Sequence, residues 1–95
     1  MSELSKKDWL EVFTALENEN RYNIVMLLKD EGEKSFTYIQ QKLQLSPGNC
    51  AHHMNVLFNK GIVFNSYITP KDNETEYSFY ELTDKAKKAL NHIFE

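Results

Sequence analysis

The sequence predicts a mainly α-helical domain with a small β-hairpin before its last helix. Two observations predict this fold class. Apolar residues recur every three or four positions over most of the chain, and this period changes after Gly61, where aromatic and β-branched residues cluster. The 95 residues are enough for one domain and too few for two, so we expect a single domain over residues 1–95.

The first two predicted helices are separated by an Asn-Glu-Asn turn at 18–20. Ser5 is a suitable N-cap for a helix over 7–17. The apolar arc of this helix is wide, and we expect Leu10 to point away from the inward side, which comprises Trp9, Val12, Phe13 and Leu16. The second helix, over 21–29, ends before Gly32. Its predicted buried residues are Ile24, Val25, Leu27 and Leu28.

A short helix over 37–43 and a longer one over 46–60 follow, joined by a tight turn. The inward residues of the short helix are Phe36, Ile39 and Leu43. Ser46 is a good N-cap for the longer helix, and Pro47 suits its first position. The apolar stripe of this longer helix comprises Cys50, Met54, Leu57 and Phe58. Its opposite face is polar and mostly uncharged, with Gly48, Asn49, Ala51, His52, Asn55 and Asn59.

The end of the chain predicts a hairpin and a last helix. Strands are expected over 62–68 and 77–82, around a turn at 70–73, but neither strand alternates cleanly enough to assign its faces. Thr83 caps a final helix with Ala86, Ala89, Leu90 and Ile93 on one side. A further short strand near 35–36 has only weak support. Two helices joined by a tight turn, with a hairpin directly behind them, form the winged helix-turn-helix arrangement.

Composition limits the possible functions. The single cysteine, Cys50, excludes an internal disulfide and a cysteine-based zinc cluster from one chain. The N-terminal sequence has no signal-peptide pattern and no segment is long and apolar enough for a membrane span, so we expect a cytoplasmic protein. We find no phosphate-binding glycine loop, no nucleophile with a base and no diagnostic carboxylate pair. We therefore expect neither an enzyme nor a cofactor.

Three segments resemble the ArsR-type winged helix repressors over residues 13–90: LENENRYNIVMLL, SPGNCAHHMNVLFNKGIV and YSFYELTDKAKKAL. The resemblance implies a homodimer that is built from the first and last helices. It also implies that the two recognition helices, at about 46–60, lie in successive major grooves of double-stranded DNA. The implied dimer contacts are Trp9, Leu10, Phe13, Leu90, Ile93 and Phe94.

The resemblance also implies which residues contact DNA. Base contacts are expected from Gly48, Asn49, Ala51, His52 and Asn55. Asparagine pairs bidentately with adenine, and histidine can donate to guanine or to a phosphate. Contacts that position the DNA backbone are expected from Arg21, Thr37, Tyr38, Gln41 and Ser46. Lys71, the single lysine of the predicted wing, completes the set.

Three features depart from the family pattern. The helix before the recognition helix reads FTYIQQKL and lacks the ligands of the family's metal sensors, so no metal site is expected there. The wing, PKDNETEY, holds three carboxylates, which repel phosphates. The recognition face has no arginine, and Arg21 is the only one in the chain. The net charge of −3 is also unusual for a DNA-binding protein, because such proteins usually carry positive charges that neutralise phosphates.

Several residues keep two interpretations. His52 is either a DNA contact or simply exposed, whereas His53 is expected to pack against the preceding helix. Adjacent histidines point about 100° apart on a helix and do not suit one zinc ion. Cys50 is expected in the core rather than as a redox sensor. The lysines of the last helix are expected to form a solvated face, and they are Lys85, Lys87 and Lys88.

The sequence therefore predicts a dimeric, sequence-specific DNA-binding regulator, most simply a repressor. The alternative is a winged helix that serves as a protein–protein adaptor, which the acidic wing and the net charge favour. Sequence preference in DNA binding separates the two, since an adaptor shows none.

Overall fold

The computed structural model describes residues 3–68 and 77–94. Within these ranges it contains five helices and three short strands, in the order predicted for a winged helix-turn-helix. The helices are α1 (Lys6–Leu16), α2 (Glu19–Glu31), α3 (Phe36–Lys42), α4 (Pro47–Asn59) and α5 (Asp84–Phe94). The strands are β1 (Lys34–Ser35), β2 (Val63–Ile68) and β3 (Tyr77–Leu82). The predicted turn at 70–73 and Lys71 lie outside the described residues.

Local hydrogen bonds explain where the helices begin. The Ser5 hydroxyl accepts from the Asp8 N–H, and the Asp8 carboxylate accepts from the Ser5 N–H, which together form a capping box. Asn18 caps α2 by accepting from the Arg21 N–H at 3.1 Å. The second helix consequently begins two residues before the predicted position, at Glu19. Capping satisfies N–H groups that have no partner inside the helix.

The three strands form one antiparallel sheet with β3 in the centre, in the order β1-β3-β2. The register pairs Lys34 with Tyr80 on one side of β3 and Asn65 with Tyr80 on the other. The short strand predicted near 35–36 is present at Lys34–Ser35, so the chain enters α3 directly from the sheet. Because α4 packs on β2, the sheet supports the second helix of the helix-turn-helix from behind.

The core lies where α2 and α4 meet the sheet and the outer helices α1 and α5. The predicted buried residues of α2 are confirmed, and Ile24 and Val25 are at most 1% exposed. The largest side chains that are almost fully buried are Ile24, Ile39, Met54, Leu57 and Ile62. Burying side chains of this size supplies about 1.5–3 kcal/mol each. These residues fix the position of α4 relative to α2 and α3.

Two residues predicted to face inward, Phe13 and Phe58, are exposed instead. Phe13 is 53% exposed, because α1 is an outer helix that the rest of the protomer covers on a narrow side only. Ile93, which was predicted as a dimer contact, is 40% exposed within the protomer. In α4, Phe58 is 50% exposed, and His53 takes a buried place at 7% exposure. Its Nδ1 lies 3.4 Å from Nη1 of Arg21 at the start of α2, a contact that the sequence did not predict.

Candidate nucleic-acid interface

The turn between α3 and α4 is held by hydrogen bonds in both directions. The Leu45 N–H donates to the Gln40 carbonyl at 3.0 Å, and the Gln40 side-chain amide donates to the Leu45 carbonyl at 2.9 Å. Gln44 lies in the left-handed region with a φ of 57°, which is uncommon for a residue with a side chain. The turn therefore fixes the direction in which α4 leaves α3.

The helix α4 buries one side and exposes the other. The buried side contains Cys50, His53, Met54 and Leu57. The exposed side contains the predicted base-contacting residues, and these are Gly48, Asn49, Ala51, His52 and Asn55. No aspartate, glutamate, lysine or arginine occurs within Pro47–Asn59, so this surface offers amide and imidazole groups without formal charge at neutral pH. Such groups donate and accept hydrogen bonds, as the edges of bases require.

The residues predicted to position the DNA backbone lie around the start of α4, but some of their side chains already form hydrogen bonds within the protomer. Thr37 and Gln41 are exposed on α3, and the Ser46 hydroxyl accepts from the Asn49 N–H at 3.2 Å. The Tyr38 hydroxyl donates to the Glu31 carboxylate at 2.6 Å. This hydrogen bond raises the pKa of Tyr38, because it stabilises the protonated phenol beside a carboxylate.

Arg21 is turned toward its own protein. Its Nε donates to the Ala15 carbonyl at 3.2 Å and its Nη2 to the Thr14 carbonyl at 3.4 Å. Nη1 lies 3.4 Å from Nδ1 of His53. The sequence identified Arg21 as the chain's one arginine but gave no indication that His53 is its partner, because the two residues are 32 positions apart.

A shallow cavity of about 220 Å³ extends the exposed side of α4 toward the sheet. Asn55 and Phe58 of α4 line it together with Asn65 of β2 and Tyr80 of β3. Asn65 was not among the predicted DNA contacts, because the two strands do not alternate clearly enough to show which side chains share a face with α4. The pairing of Asn65 with Tyr80 in the sheet places both beside the helix.

Exposed apolar side chains form a second surface on α1 and α5. Leu10, Phe13, Ile93 and Phe94 are 40–55% exposed. The Trp9 ring lies 5.7 Å from that of Phe13 and 5.9 Å from that of His92, between ring centroids. Leu90 differs from the other predicted dimer contacts. It is 2% exposed within the protomer, so its side chain belongs to the core and offers almost no area to a partner.

The remaining candidate reactive residue, Cys50, lies inside the fold. Cys50 is buried, and burial raises the pKa of its thiol to about 11, which disfavours the reactive thiolate. Within 3–68 and 77–94, no three His, Cys, Asp or Glu side chains are grouped closely enough to hold a metal ion. None of the helices in the same ranges has the length and apolar character required to cross a membrane.

A helix-turn-helix whose second helix exposes an uncharged polar side, followed by a hairpin, defines the winged helix-turn-helix class of DNA-binding domains. Residues 18–64 match the model of a family described as bacterial regulatory protein, arsR family. The match runs from the cap of α2 into β2 and thus contains the whole helix-turn-helix. Over this segment the chain is similar to the ArsR-like transcription regulators. Comparison with curated proteins gives no match.

Solved structures are similar over nearly the whole chain. A transcriptional regulator homologue from Pyrococcus horikoshii OT3 is 25% identical, with a TM-score of 0.74 over 90% of this chain and 85% of that one. The transcriptional repressor BigR from Xylella fastidiosa is also 25% identical, with a TM-score of 0.66 over 93% and 87%. The homodimeric winged helix-turn-helix domain Mb0332 from Mycobacterium bovis shares the fold at 17% identity, with a TM-score of 0.72 over 98% and 86%.

Proposed function

We propose that this DNA-binding regulator acts as a homodimeric repressor that places two α4 helices in successive major grooves of promoter DNA. The observation that carries the proposal is the division of α4 into a buried apolar side and an exposed, uncharged polar side. The solvent-facing side of a surface helix commonly carries charged residues, whereas α4 exposes amide and imidazole groups of the kind that hydrogen-bond to base edges. Half-sites about one helical turn apart, some 34–36 Å, fit a two-fold dimer.

In this proposal the base contacts come from Gly48, Asn49, Ala51, His52 and Asn55, of which His52 and Asn55 supply the hydrogen bonds to bases. Thr37, Gln41 and Ser46 contact the DNA backbone, and so does the N-terminal end of α4, where free N–H groups favour a phosphate. Lys71 remains a proposed contact of the wing. Arg21 and Tyr38 contribute by orienting the helices, because their polar groups already bond within the protomer.

The homodimer is proposed to form through α1 and α5. Support comes from the exposed apolar side chains of Leu10, Phe13, Ile93 and Phe94 on α1 and α5, with the partly buried Trp9 ring beside Phe13, and from a structural neighbour that is homodimeric. Large exposed apolar patches on a small domain indicate an association surface. BigR, which is a repressor, supports the proposed direction of regulation.

The DNA contact is tested with the double variant His52→Ala/Asn55→Ala. A good base contact contributes about 1–3 kcal/mol, so we expect the Kd for a duplex selected from a random library to rise at least about tenfold. Fluorescence anisotropy measures the Kd, and sedimentation shows whether the oligomeric state is unchanged. Asn23→Ala, an exposed asparagine of α2, is the matched control. Unchanged affinity in the double variant, or selection that yields no preferred sequence, favours the protein–protein adaptor instead.

The dimer surface is tested separately with Phe13→Glu. A buried, unpaired carboxylate at an apolar interface is costly, so we expect the protein to sediment as a monomer at concentrations where the unmodified chain is a dimer. Phe64→Glu is the control, since Phe64 is similarly exposed, at 45%, but lies on β2. An unmodified chain that sediments as a monomer, or a Phe13→Glu variant that remains a dimer, contradicts the proposed interface.

A further inference from the structure

One guanidinium group joins three helices of the domain. Arg21 lies in the first turn of α2, donates to the carbonyls of Thr14 and Ala15 in the last turn of α1, and contacts His53 on the buried side of α4. The first helix carries the proposed dimer surface and the fourth carries the proposed DNA surface. The position of one surface relative to the other therefore depends on this group of contacts.

The contact between Arg21 and His53 defines the protonation state of the imidazole. A guanidinium only donates hydrogen bonds, so Nδ1 of His53 has to accept with its lone pair. The ring is then neutral, with its proton on Nε2. His53 is 7% exposed, and burial lowers the pKa of the imidazole below its ordinary value of 6.5. The positive charge of Arg21 lowers this pKa further, and His52 contributes in the same direction.

The groups that act on this ring come from two elements. Arg21 of α2 and His52 of α4 are the charged or titratable neighbours that change the pKa of His53. The other elements that pack against α4 are α3 and β2, and none of their described residues changes it. No described carboxylate compensates a second positive charge at this place. Protonation of His53 therefore replaces a hydrogen bond with two facing donors and two like charges.

We propose that His53 is a positioning residue for the recognition helix, and that protonation of its ring releases α4 from Arg21 and thereby weakens DNA binding. This inference rests on the proposed DNA contact of α4. The proposed pH effect has the opposite sign to the usual one, because a positive charge gained at a DNA-binding surface ordinarily strengthens phosphate binding.

The experiment compares the Kd for the selected duplex at about pH 7.5 and about pH 5.5, at constant ionic strength, since histidine changes charge in this interval. For the unmodified chain we expect the Kd to rise about fivefold at the lower pH, the low end of typical coupling between sites. In His53→Gln, the side-chain oxygen still accepts from Arg21, but the side chain has no group that titrates. We therefore expect the ratio of the Kd at about pH 5.5 to the Kd at about pH 7.5, called the pH ratio below, to be near one. We expect His52→Gln to weaken binding at both pH values without lowering the pH ratio.

Arg21→Lys is the second variant, in case His53→Gln does not fold. A lysine cannot contact the α1 carbonyls and His53 together, so we expect a higher Kd near neutral pH and a smaller pH ratio. The same ratio in His53→Gln as in the unmodified chain, or binding that strengthens on acidification through His53, overturns the proposal.

A measurement without DNA separates this inference from the proposed function. Nitrogen NMR of the free protein is expected to show His53 protonated on Nε2 at neutral pH and titrating below the ordinary histidine value of 6.5. A ring protonated on Nδ1 overturns the link to Arg21 even if DNA binding is normal. Absence of specific DNA binding at both pH values contradicts the proposed function instead, and in that case the NMR result still decides whether Arg21 and His53 are linked.

Discussion

Lys85 connects the last helix to the first helix and to the end of α4. Its ammonium group donates to the Glu11 carboxylate and to the Lys60 carbonyl, both at 2.7 Å, and lies 3.6 Å from the Asp8 carboxylate. Lys85 was predicted to lie on a solvated face together with Lys87 and Lys88. That prediction was wrong for Lys85, whose side chain is 20% exposed, because the helix turns this one lysine toward α1.

We expect Lys85→Met to lower the free energy of unfolding at neutral pH. We also expect this free energy to fall less on acidification than it does in the unmodified chain. The hydrogen bond from Lys85 lowers the pKa of Glu11, and the backbone N–H of Ser5 is the main cause of the lowered pKa of Asp8, to which Lys85 also contributes. Carboxylates with lowered pKa values stabilise the folded state at pH values above their unfolded pKa values, 4.5 and 3.8. This stabilisation is lost as the pH falls through the folded pKa values.

Urea unfolding at about pH 7 and about pH 3.5 measures the effect, since the interval spans the carboxylate pKa values. The unmodified chain should lose more stability between the two conditions than Lys85→Met does. Lys87→Met is the control on the same helix and should retain the acid dependence of the unmodified chain. Equal acid dependence in all three proteins would show that the ion pairs with Lys85 do not contribute.

The elements that the sequence predicted correctly are those determined by local interactions. Ser5 and Ser46 were predicted as caps and are caps, because a hydroxyl three residues before a free N–H needs no distant partner. The period of apolar residues likewise predicted which faces of α2 are buried. The buried face of α1 was predicted less well, as Phe13 shows, because periodicity does not reveal how much of an outer helix its neighbours cover.

The candidate site was predictable on α4 and unpredictable around it. Hydrogen-bonding residues on one side of a capped helix identified the exposed surface that includes His52 and Asn55. The direction of Arg21 was not accessible in the same way, because its long side chain can extend toward DNA or fold back onto carbonyl groups. Three partners from two other helices determine which of these occurs, and their proximity is a property of the tertiary structure.

Ser46 has two separable roles at the start of α4. Its hydroxyl caps the helix through the Asn49 N–H, and it is also a proposed contact to the DNA backbone. Ser46→Ala removes the acceptor, so we expect a loss of about 1 kcal/mol in the free energy of unfolding. Ser46→Asp restores an acceptor for the N–H and should recover the stability, while its negative charge repels phosphate.

Thermal or urea unfolding and DNA titration together distinguish the two roles of Ser46. Recovery of stability in Ser46→Asp without recovery of affinity supports both the cap and the DNA contact. If Ser46→Asp binds the selected duplex as well as the unmodified chain does, the start of α4 does not lie near a phosphate.

The domain separates its proposed functions between two surfaces. The α1–α5 surface is apolar and aromatic, whereas the exposed side of α4 is polar and uncharged. Lys85 and Arg21 bridge the elements that carry these surfaces, and both do so through backbone carbonyls as well as side chains. Each bridge combines a backbone carbonyl, which is present whatever the residue, with a side-chain partner, Glu11 for Lys85 and His53 for Arg21. The bridges therefore depend on these partners as well as on the two cations.

The net charge of −3 and the absence of lysine and arginine from α4 predict a shallow dependence of DNA binding on salt. Each cation that neutralises a phosphate contributes about −0.9 to the slope of log K against log salt concentration, so proteins with 6–10 such contacts lose about 10³–10⁵ in affinity between 50 and 200 mM salt. We expect this protein to lose far less. His52→Arg supplies a matched test, because one new cation in each protomer of a dimer should steepen the slope by about 1.8 if both arginines reach phosphates. A steep slope in the unmodified chain would mean that lysines outside α4 provide most of the affinity, and that the polar side of this helix is not the main contact with DNA.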